Sequence, residues 1–165
     1  GSAATGAQDG PCEPDRRMKL ARPRLAVRAA ILQDDRLLMV NAYPGQISDL
    51  WCLPGGGVEP GQSLPQNLTR EVAEETGLAV DIGAMILVNE FHDPVSGFHQ
   101  VDLIFRARLA GQENILLDDP EGVVNRFRWA TKAELAKLHH RPRMLARAVW
   151  SDHAAWYDPL ETIVT

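Results

Sequence analysis

A run of glycines that leads into a capped helix is the feature that most restricts how this chain can fold. The run Gly55–Gly57 lacks the Cβ atoms that would keep a neighbouring backbone or a ligand at a distance. Ser63, with Gln66 three residues later, has the form of a capping box. Gly77 stands where a left-handed helix end is common. We therefore predict a helix from about 64 to 76, preceded by a loop with an unusually accessible backbone.

Strand patterns lie on both sides of this helix, whose apolar residues Leu64, Leu68 and Val72 recur every four positions and must pack against a core. The predicted strands cover residues 25–32, 37–40, 51–53, 78–91 (one or two strands), 101–109 and 123–129, the last being the final strand. The first two form a hairpin, and the alternation over 101–109 predicts one buried face. Two later helices are predicted from Thr131 to about 138 and from Pro142 to about 156. This mixed order predicts an α/β (α+β) protein with a mixed sheet.

Composition and charge argue against several classes of protein. The chain has 165 residues, 45% apolar and 24% charged, which fits one ordinary globular domain. Its formal net charge of −5 argues against a general nucleic-acid or membrane-surface binder, and no apolar run is long enough for a membrane helix. Cys12 and Cys52 lie far apart, so a disulfide-built fold is excluded and a reducing compartment is favoured.

Three glutamates on the predicted helix carry the strongest chemical signal. Glu71, Glu74 and Glu75 fall within an arc of about 100° on the helix surface. Like charges at this spacing destabilise a helix, so something must offset their repulsion. A hard divalent cation such as Mg²⁺ would do so, because it prefers carboxylate oxygens and is often shared with substrate phosphates. The alternative is a solvated acidic face, which the neighbouring apolar stripe makes less favourable.

The segment GGVEPGQSLPQNLTREVAEETGL resembles the Nudix box, G-x5-E-x7-R-E-U-x-E-E-x-G-U, in which U is a bulky apolar residue. The matching positions are Gly56, Arg70, Glu71, Val72, Glu74, Glu75, Gly77 and Leu78. Gln62 departs from the pattern, because the family has its first glutamate there. The order of elements over 25–155 is also similar. The resemblance therefore implies the Nudix fold, an α/β/α sandwich around a mixed β-sheet.

The resemblance also implies a reaction, the hydrolysis of a pyrophosphate bond in a nucleoside diphosphate linked to another group. It assigns Glu74, Glu75 and the carbonyl of Gly56 to a bound Mg²⁺, with Mn²⁺ as the other metal. Glu71 would hold metal or activate the attacking water, and Arg70 would orient the carboxylates. In place of a charged partner, Gln62 would give Arg70 a neutral hydrogen bond, with a modest loss of rigidity or metal affinity.

The substrate is less constrained than the reaction. Pro94, sixteen residues after the box, resembles the ADP-ribose pyrophosphatase branch, so ADP-ribose or a similar NDP-sugar is the first substrate prediction. The alternatives are an ordinary or oxidised nucleoside triphosphate, and a non-catalytic nucleotide sensor, which Gln62 would permit. Family members often supply a further catalytic carboxylate from the loop before the last strand, and Glu121 is the candidate here. The predicted substrate contacts, each with a structural role as its alternative, are Arg28, Trp51, Phe91, His92 and His99.

The ends of the chain complete the sequence-based expectations. Residues 1–17 read as a flexible arm that begins with Gly1-Ser2, typical of a cloning remnant, and 18–165 as a single Nudix hydrolase domain. No secretory signal is visible, so we expect a cytoplasmic protein. The expected partner is a small-molecule nucleotide rather than nucleic acid or membrane. Family members are often homodimers, although no feature of this sequence shows that state.

Overall fold

The computed structural model describes residues 22–43, 48–111 and 127–164. The strands in these ranges are β1 (Arg24–Gln33), β2 (Arg36–Asn41), β3 (Trp51–Cys52), β4 (Gly55–Gly57), β5 (Val80–His92), β6 (His99–Leu109), β7 (Phe127–Thr131) and β8 (Trp156–Thr162). The helices are α1 (Leu64–Thr76), α2 (Lys132–Leu135) and α3 (Leu145–Val149). The arm predicted for 1–17 and the candidate Glu121 lie outside the described residues.

The strands form a mixed sheet, as predicted. Its main order is β3-β2-β1-β6-β5-β8, with β4 paired to β1 and β7 paired to β2. β1 runs parallel to β6, whereas β5 and β6 are antiparallel. β1 and β2 form the predicted hairpin, and its turn residues Asp34 and Asp35 have positive φ values of 49° and 61°. Aspartate tolerates this left-handed conformation better than most residues, which explains its presence in the turn.

Helices cover both faces of the sheet, which confirms the sandwich. Leu68 and Val72 of α1 pack in one cluster with Val27, Ala29 and Ile31 of β1. A second cluster, on the opposite face, contains Ala30, Ile104, Leu135 and Leu145. Successive side chains of a strand point to opposite faces, so Arg28 shares the face of Ala30. The described helices include none that is long and apolar enough to span a bilayer.

Helix α1 begins and ends where its sequence signals placed it. The Ser63 hydroxyl accepts a hydrogen bond from the Gln66 backbone N–H, and the Gln66 side chain accepts one from the Ser63 backbone N–H. Gly77 ends the helix with a φ of 74°. These local contacts fix the first turn of α1, and therefore fix the direction in which Glu71 and Glu75 leave the helix.

The prediction of one buried face for β6 is wrong. Phe105 and Ala107 are buried on one face, but Asp102 and Ile104 are buried on the other. β6 lies between β1 and β5 in the middle of the sheet, so protein covers both of its faces. An alternating pattern therefore marks two different environments here, and does not separate core from solvent.

The prediction for the C-terminal part of the chain is also wrong. α3 ends at Val149 instead of continuing to about 156, and β8 follows it as the last strand. α2 keeps the predicted cap, because the Thr131 hydroxyl accepts from the Glu134 N–H, but it ends at Leu135. β8 pairs in parallel with β5, which gives hydrogen-bond partners to an edge that would otherwise be open. The region 78–91 forms the single strand β5, with irregular register between Ile82 and Leu87.

Candidate functional site

Strand β4 and helix α1 bring two carboxylates against the glycine run. The Gly55 N–H donates a hydrogen bond to Glu75 Oε2 at 3.0 Å. A Cβ atom added to Gly56 would lie 2.4 Å from Glu71 Oε2, so only glycine lets the backbone approach this carboxylate. Glu71 and Glu75 therefore lie side by side along β4, as their spacing of one helical turn requires.

Arg70 ties the acidic cluster together. Its Nη1 lies 3.2 Å from Glu71 Oε1 and 3.2 Å from Glu74 Oε2, and its Nε donates to Gln62 Oε1 at 3.2 Å. Glu59 Oε1 is 3.7 Å from Nη2. Burial works to lower the pKa of Arg70, but the hydrogen bond to Glu74 and the charges of Glu71, Glu59 and Glu74 raise it above its usual value. The guanidinium thus offsets part of the repulsion among the glutamates.

The donor set fits a hard divalent cation that is completed by water and substrate. Within the described residues, no three acidic, histidine or cysteine side chains enclose a metal position. Mg²⁺ needs no such cage, because it is usually bound by one or two carboxylates, several waters and substrate phosphates. The carboxylates of Glu71 and Glu75, which lie against the backbone of Gly55 and Gly56, meet that requirement. Glu74 is engaged with Arg70, and 60% of its side chain is exposed.

A cavity lies on the opposite face of the sheet, beside β4. Arg28, which pairs with Gly55 in the β1–β4 register, forms part of its wall. Arg28 is 2% exposed, and its Nε lies 3.4 Å from Asp102 Oδ2 while its Nη1 donates to the Leu53 carbonyl at 3.0 Å. Asp102 Oδ1 accepts from Gln100 Nε2 at 2.8 Å. These contacts hold the Arg28 guanidinium in the wall of the cavity.

The predicted substrate contacts are distributed between this cavity and other places. Arg28 and Phe91 line the cavity. Trp51 packs against the core cluster of α2 and α3. His99 Nε2 lies 3.1 Å from Glu90 Oε1, and the rings of His92 and His99 are 6.3 Å apart near the β5–β6 turn. Trp51, His92 and His99 are not among the lining residues, so their role in substrate binding stays a prediction.

Sequence reasoning missed the contribution of the C-terminal strand to the cavity. Glu161, Ile163 and Val164 line it, although the predicted helices ended at about 156. The aromatic pair Trp156 and Tyr157 favours a strand and is the signal that could have found it, while Pro159 is compatible with a strand only at a sheet edge.

Glu161 is the acidic group that β8 brings to the cavity. Its Oε2 lies 3.3 Å from Arg141 Nε and 3.6 Å from Arg143 Nε. Burial and the charge of Asp158 raise the pKa of Glu161, against the opposing effects of Arg141, Arg143 and the Asn89 side chain. Burial likewise raises the pKa of Asp158.

Relatives of this chain share its family and differ in their described activities. A family model described as NUDIX domain matches residues 22–149. An ADP-ribose pyrophosphatase of Methanocaldococcus jannaschii is 27% identical over 122 residues, which are 74% of this chain and 66% of that protein. An 8-oxo-dGDP phosphatase of Homo sapiens is 29% identical over 114 residues, 67% of this chain and 34% of that protein. The chain spans between 32% and 66% of the length of the M. jannaschii protein and two further relatives.

Solved structures give the same result for the fold. A NUDIX hydrolase from Nitrosomonas europaea has a TM-score of 0.61 and 27% identity, covering 78% of this chain and 86% of that one. A MutT NUDIX hydrolase from Burkholderia pseudomallei has a TM-score of 0.61 and 26% identity, covering 78% of this chain and 98% of that one. With the family model matching most of its length and the box carboxylates gathered against the glycine run, the chain belongs to the Nudix hydrolase family.

Proposed function

We propose that this protein hydrolyses a pyrophosphate bond in a nucleoside diphosphate derivative with the help of a divalent metal. The observation that carries the proposal is the contact of Glu71 and Glu75 with the backbone of Gly55 and Gly56. A solvated acidic face would have no need to press two carboxylates against a strand. The Glu71 side chain is 20% exposed, which leaves a cation bound there access to water and to a phosphate chain.

Each residue of the site has a definite task in this proposal. Glu71, Glu75 and the Gly56 carbonyl hold Mg²⁺ or Mn²⁺, and Glu74 joins them once it releases Arg70. The bound metal polarises phosphoryl oxygens, neutralises developing charge and lowers the pKa of a bound water. Arg70 keeps the carboxylates oriented before substrate arrives. Glu71, or Glu121, which precedes β7 in the sequence and lies outside the described residues, accepts the proton of the attacking water.

The first candidate substrate is ADP-ribose or a similar NDP-sugar, with a nucleoside monophosphate and a phosphorylated sugar as products. Pro94 in the β5–β6 turn and the similarity to an ADP-ribose pyrophosphatase support it. The second candidate is an ordinary or oxidised nucleoside triphosphate. The similarity to an 8-oxo-dGDP phosphatase, a protein named for an oxidised nucleoside diphosphate, supports an oxidised nucleotide as substrate but not the triphosphate itself. Acting on oxidised nucleotides would be a different task, sanitising the nucleotide pool.

The test is hydrolysis of a substrate panel with Mg²⁺ and with EDTA. The panel holds ADP-ribose, NDP-sugars, ordinary and oxidised nucleoside triphosphates, NADH and dinucleoside polyphosphates. We expect turnover only with metal, and a loss of about 10³-fold or more in the Glu74→Gln/Glu75→Gln variant, since both ligand charges disappear. Asp81→Asn is the matched control, because Asp81 is an exposed carboxylate whose partner, Arg108, lies on β6.

The panel also separates a hydrolase from a sensor. Metal-dependent turnover in wild type and Asp81→Asn, lost in the double variant, would establish the enzyme and name its substrate class. Tight nucleotide binding without turnover of any panel member would contradict the proposal and identify a nucleotide sensor.

Gln62→Glu should raise turnover by no more than about 10-fold. The change replaces a neutral hydrogen bond to Arg70 with a charge-assisted one, which is roughly twice as strong. Arg70 already contacts Glu71 and Glu74, so its position depends only partly on Gln62. The measurement is kcat and the Mg²⁺ half-saturation concentration for both proteins. A rise of several orders of magnitude would show that the protein with Gln62 is nearly inactive.

A further inference from the structure

The cavity behind β4 has the composition of a site for a flat ring. Its walls include the apolar side chains of Leu50, Cys52 and Phe91. Apolar walls with a few placed polar groups are typical of small-molecule sites, and an aromatic side chain can stack on a planar ring. The polar groups that face the cavity therefore decide which ring fits.

The polar groups of the cavity are not equally available to a ligand. Arg28 and Asp102 hold each other, and their further contacts are with Leu53 and Gln100, all within the fold. Glu161 is different, because its Oε2 faces the two guanidiniums while its Oε1 is shielded from solvent. Oε1 has no partner of hydrogen-bond geometry among the described residues, although the Asn89 side chain is close enough to lower the pKa of the carboxyl. A buried acceptor in this state is ready to receive a donor.

We propose that Glu161 is a specificity-determining residue that accepts a hydrogen bond from the exocyclic amino group of the nucleobase in this cavity. An ionised carboxylate only accepts hydrogen bonds. It therefore favours adenine, guanine and cytosine, which have an exocyclic amino group, over uracil, which has none and whose only ring donor, N3–H, lies between two carbonyl oxygens that a carboxylate repels. The inference rests on the proposed function only in taking the ligand to be a nucleotide.

The position of the cavity fits a nucleotide that reaches the metal site. Arg28 on the cavity wall is the register partner of Gly55, and the next residue, Gly56, contacts Glu71. The base of one ligand would thus lie in the cavity on one side of β4, and its phosphate chain would lie at the metal site on the other side. No second site has to be assumed for the two ends of the substrate.

The C-terminal segment narrows the cavity in this structure. The enclosed space is about 40 Å³, enough for a few waters and too small for a ring. The Ile163 N–H donates to the His92 carbonyl at 2.7 Å, and Val164 packs against the buried cluster that contains Leu50 and Cys52. A base must displace residues 163–164 to enter. Removing residues 163–165 should therefore lower the Kd of every nucleoside monophosphate by a similar factor. The order of affinities among the bases should stay the same.

Glu161→Gln tests the role of the carboxylate. The Arg141 guanidinium lies 3.3 Å from Oε2 and its side chain is 25% exposed, so the amide oxygen should turn to it and the amide NH₂ should face the cavity. The variant then presents a donor where wild type presents an acceptor. Titration calorimetry of AMP, GMP, CMP and UMP should show a loss of about 10-fold or more in the preference for AMP over UMP. Where turnover is measurable, KM should change and kcat should not.

Arg143→Ala is the matched control. Its side chain is 71% exposed and lies near Glu161 Oε2, so its removal should leave the order of the four monophosphates unchanged. Equal weakening of all four in Glu161→Gln, or no base preference in wild type, would overturn the proposal. The outcome is independent of hydrolysis: a sensor with Glu161-dependent preference keeps this inference and loses the proposed function. A hydrolase whose preference for AMP over UMP survives in Glu161→Gln would keep the proposed function and overturn this inference.

Discussion

Glu71→Gln should lower metal-dependent turnover by about 10³-fold or more while the protein stays folded. Glutamine has the size of glutamate but can neither neutralise a cation nor accept the proton of the attacking water. The variant removes like-charge pairs with Glu74 and Glu75, each costing about 0.2–0.5 kcal/mol in a helix. It also loses a partly exposed ion pair with Arg70, which is worth about 1 kcal/mol at most. The free energy of unfolding should therefore change by less than about 1 kcal/mol.

Thermal unfolding and a Mg²⁺ titration of activity separate the two effects. Glu134→Gln, a glutamate in the first turn of α2, removes a negative charge elsewhere and should keep full turnover. An activity loss in Glu71→Gln that tracks a lower Tm would assign Glu71 a structural role. Turnover within 10-fold of wild type would mean that the essential carboxylate is another one, with Glu121 the first to test.

Helix α1 was predictable to the residue because its limits depend on neighbours in sequence. Ser63, Gln66 and Gly77 make contacts within a few positions of themselves, and the structure shows each of them. The arc of glutamates follows from helix geometry alone. The family pattern implied that Gly56 and the box glutamates serve one metal, but the contact of Glu71 with Gly56 depends on how β4 packs against α1.

The regions that sequence reasoning missed depend on partners far along the chain. β8 forms because β5, more than sixty residues earlier, offers it an edge, and no local pattern records that pairing. The two buried faces of β6 have the same origin, since its neighbours β1 and β5 are set by the sheet order. Glu161 was overlooked for this reason, because only the pairing of β8 with β5 carries it to the cavity. Glu59 is a smaller case: no sequence pattern links it to Arg70, and the fold places its Oε1 3.7 Å from Arg70 Nη2.

Two neighbouring glycines should respond differently to substitution by alanine: Gly56→Ala should lower turnover, and Gly55→Ala should lower the free energy of unfolding. In Gly56→Ala the new Cβ would lie 2.4 Å from Glu71 Oε2, the end of a flexible side chain that can move away. The fold should survive, but Glu71 loses its position, so turnover should fall by about 10²-fold and the Mg²⁺ half-saturation concentration should rise. In Gly55→Ala the Cβ would lie 2.0 Å from the Val27 carbonyl oxygen and 2.8 Å from Arg28 Cα.

Those two atoms belong to the backbone of β1, which is paired on its other side with β6 and cannot retreat. Gly55→Ala should therefore lose about 3 kcal/mol of stability or more, the upper range for overpacking. Denaturant unfolding of both variants, with a Mg²⁺ titration of the folded fraction, makes the comparison. If Gly56→Ala lost as much stability as Gly55→Ala, the close approach of Glu71 to Gly56 would be a packing feature. The metal assignment would then lose its main support. If only the Mg²⁺ response changed, the absence of a side chain at Gly56 would be explained by the room that Glu71 and a cation need there.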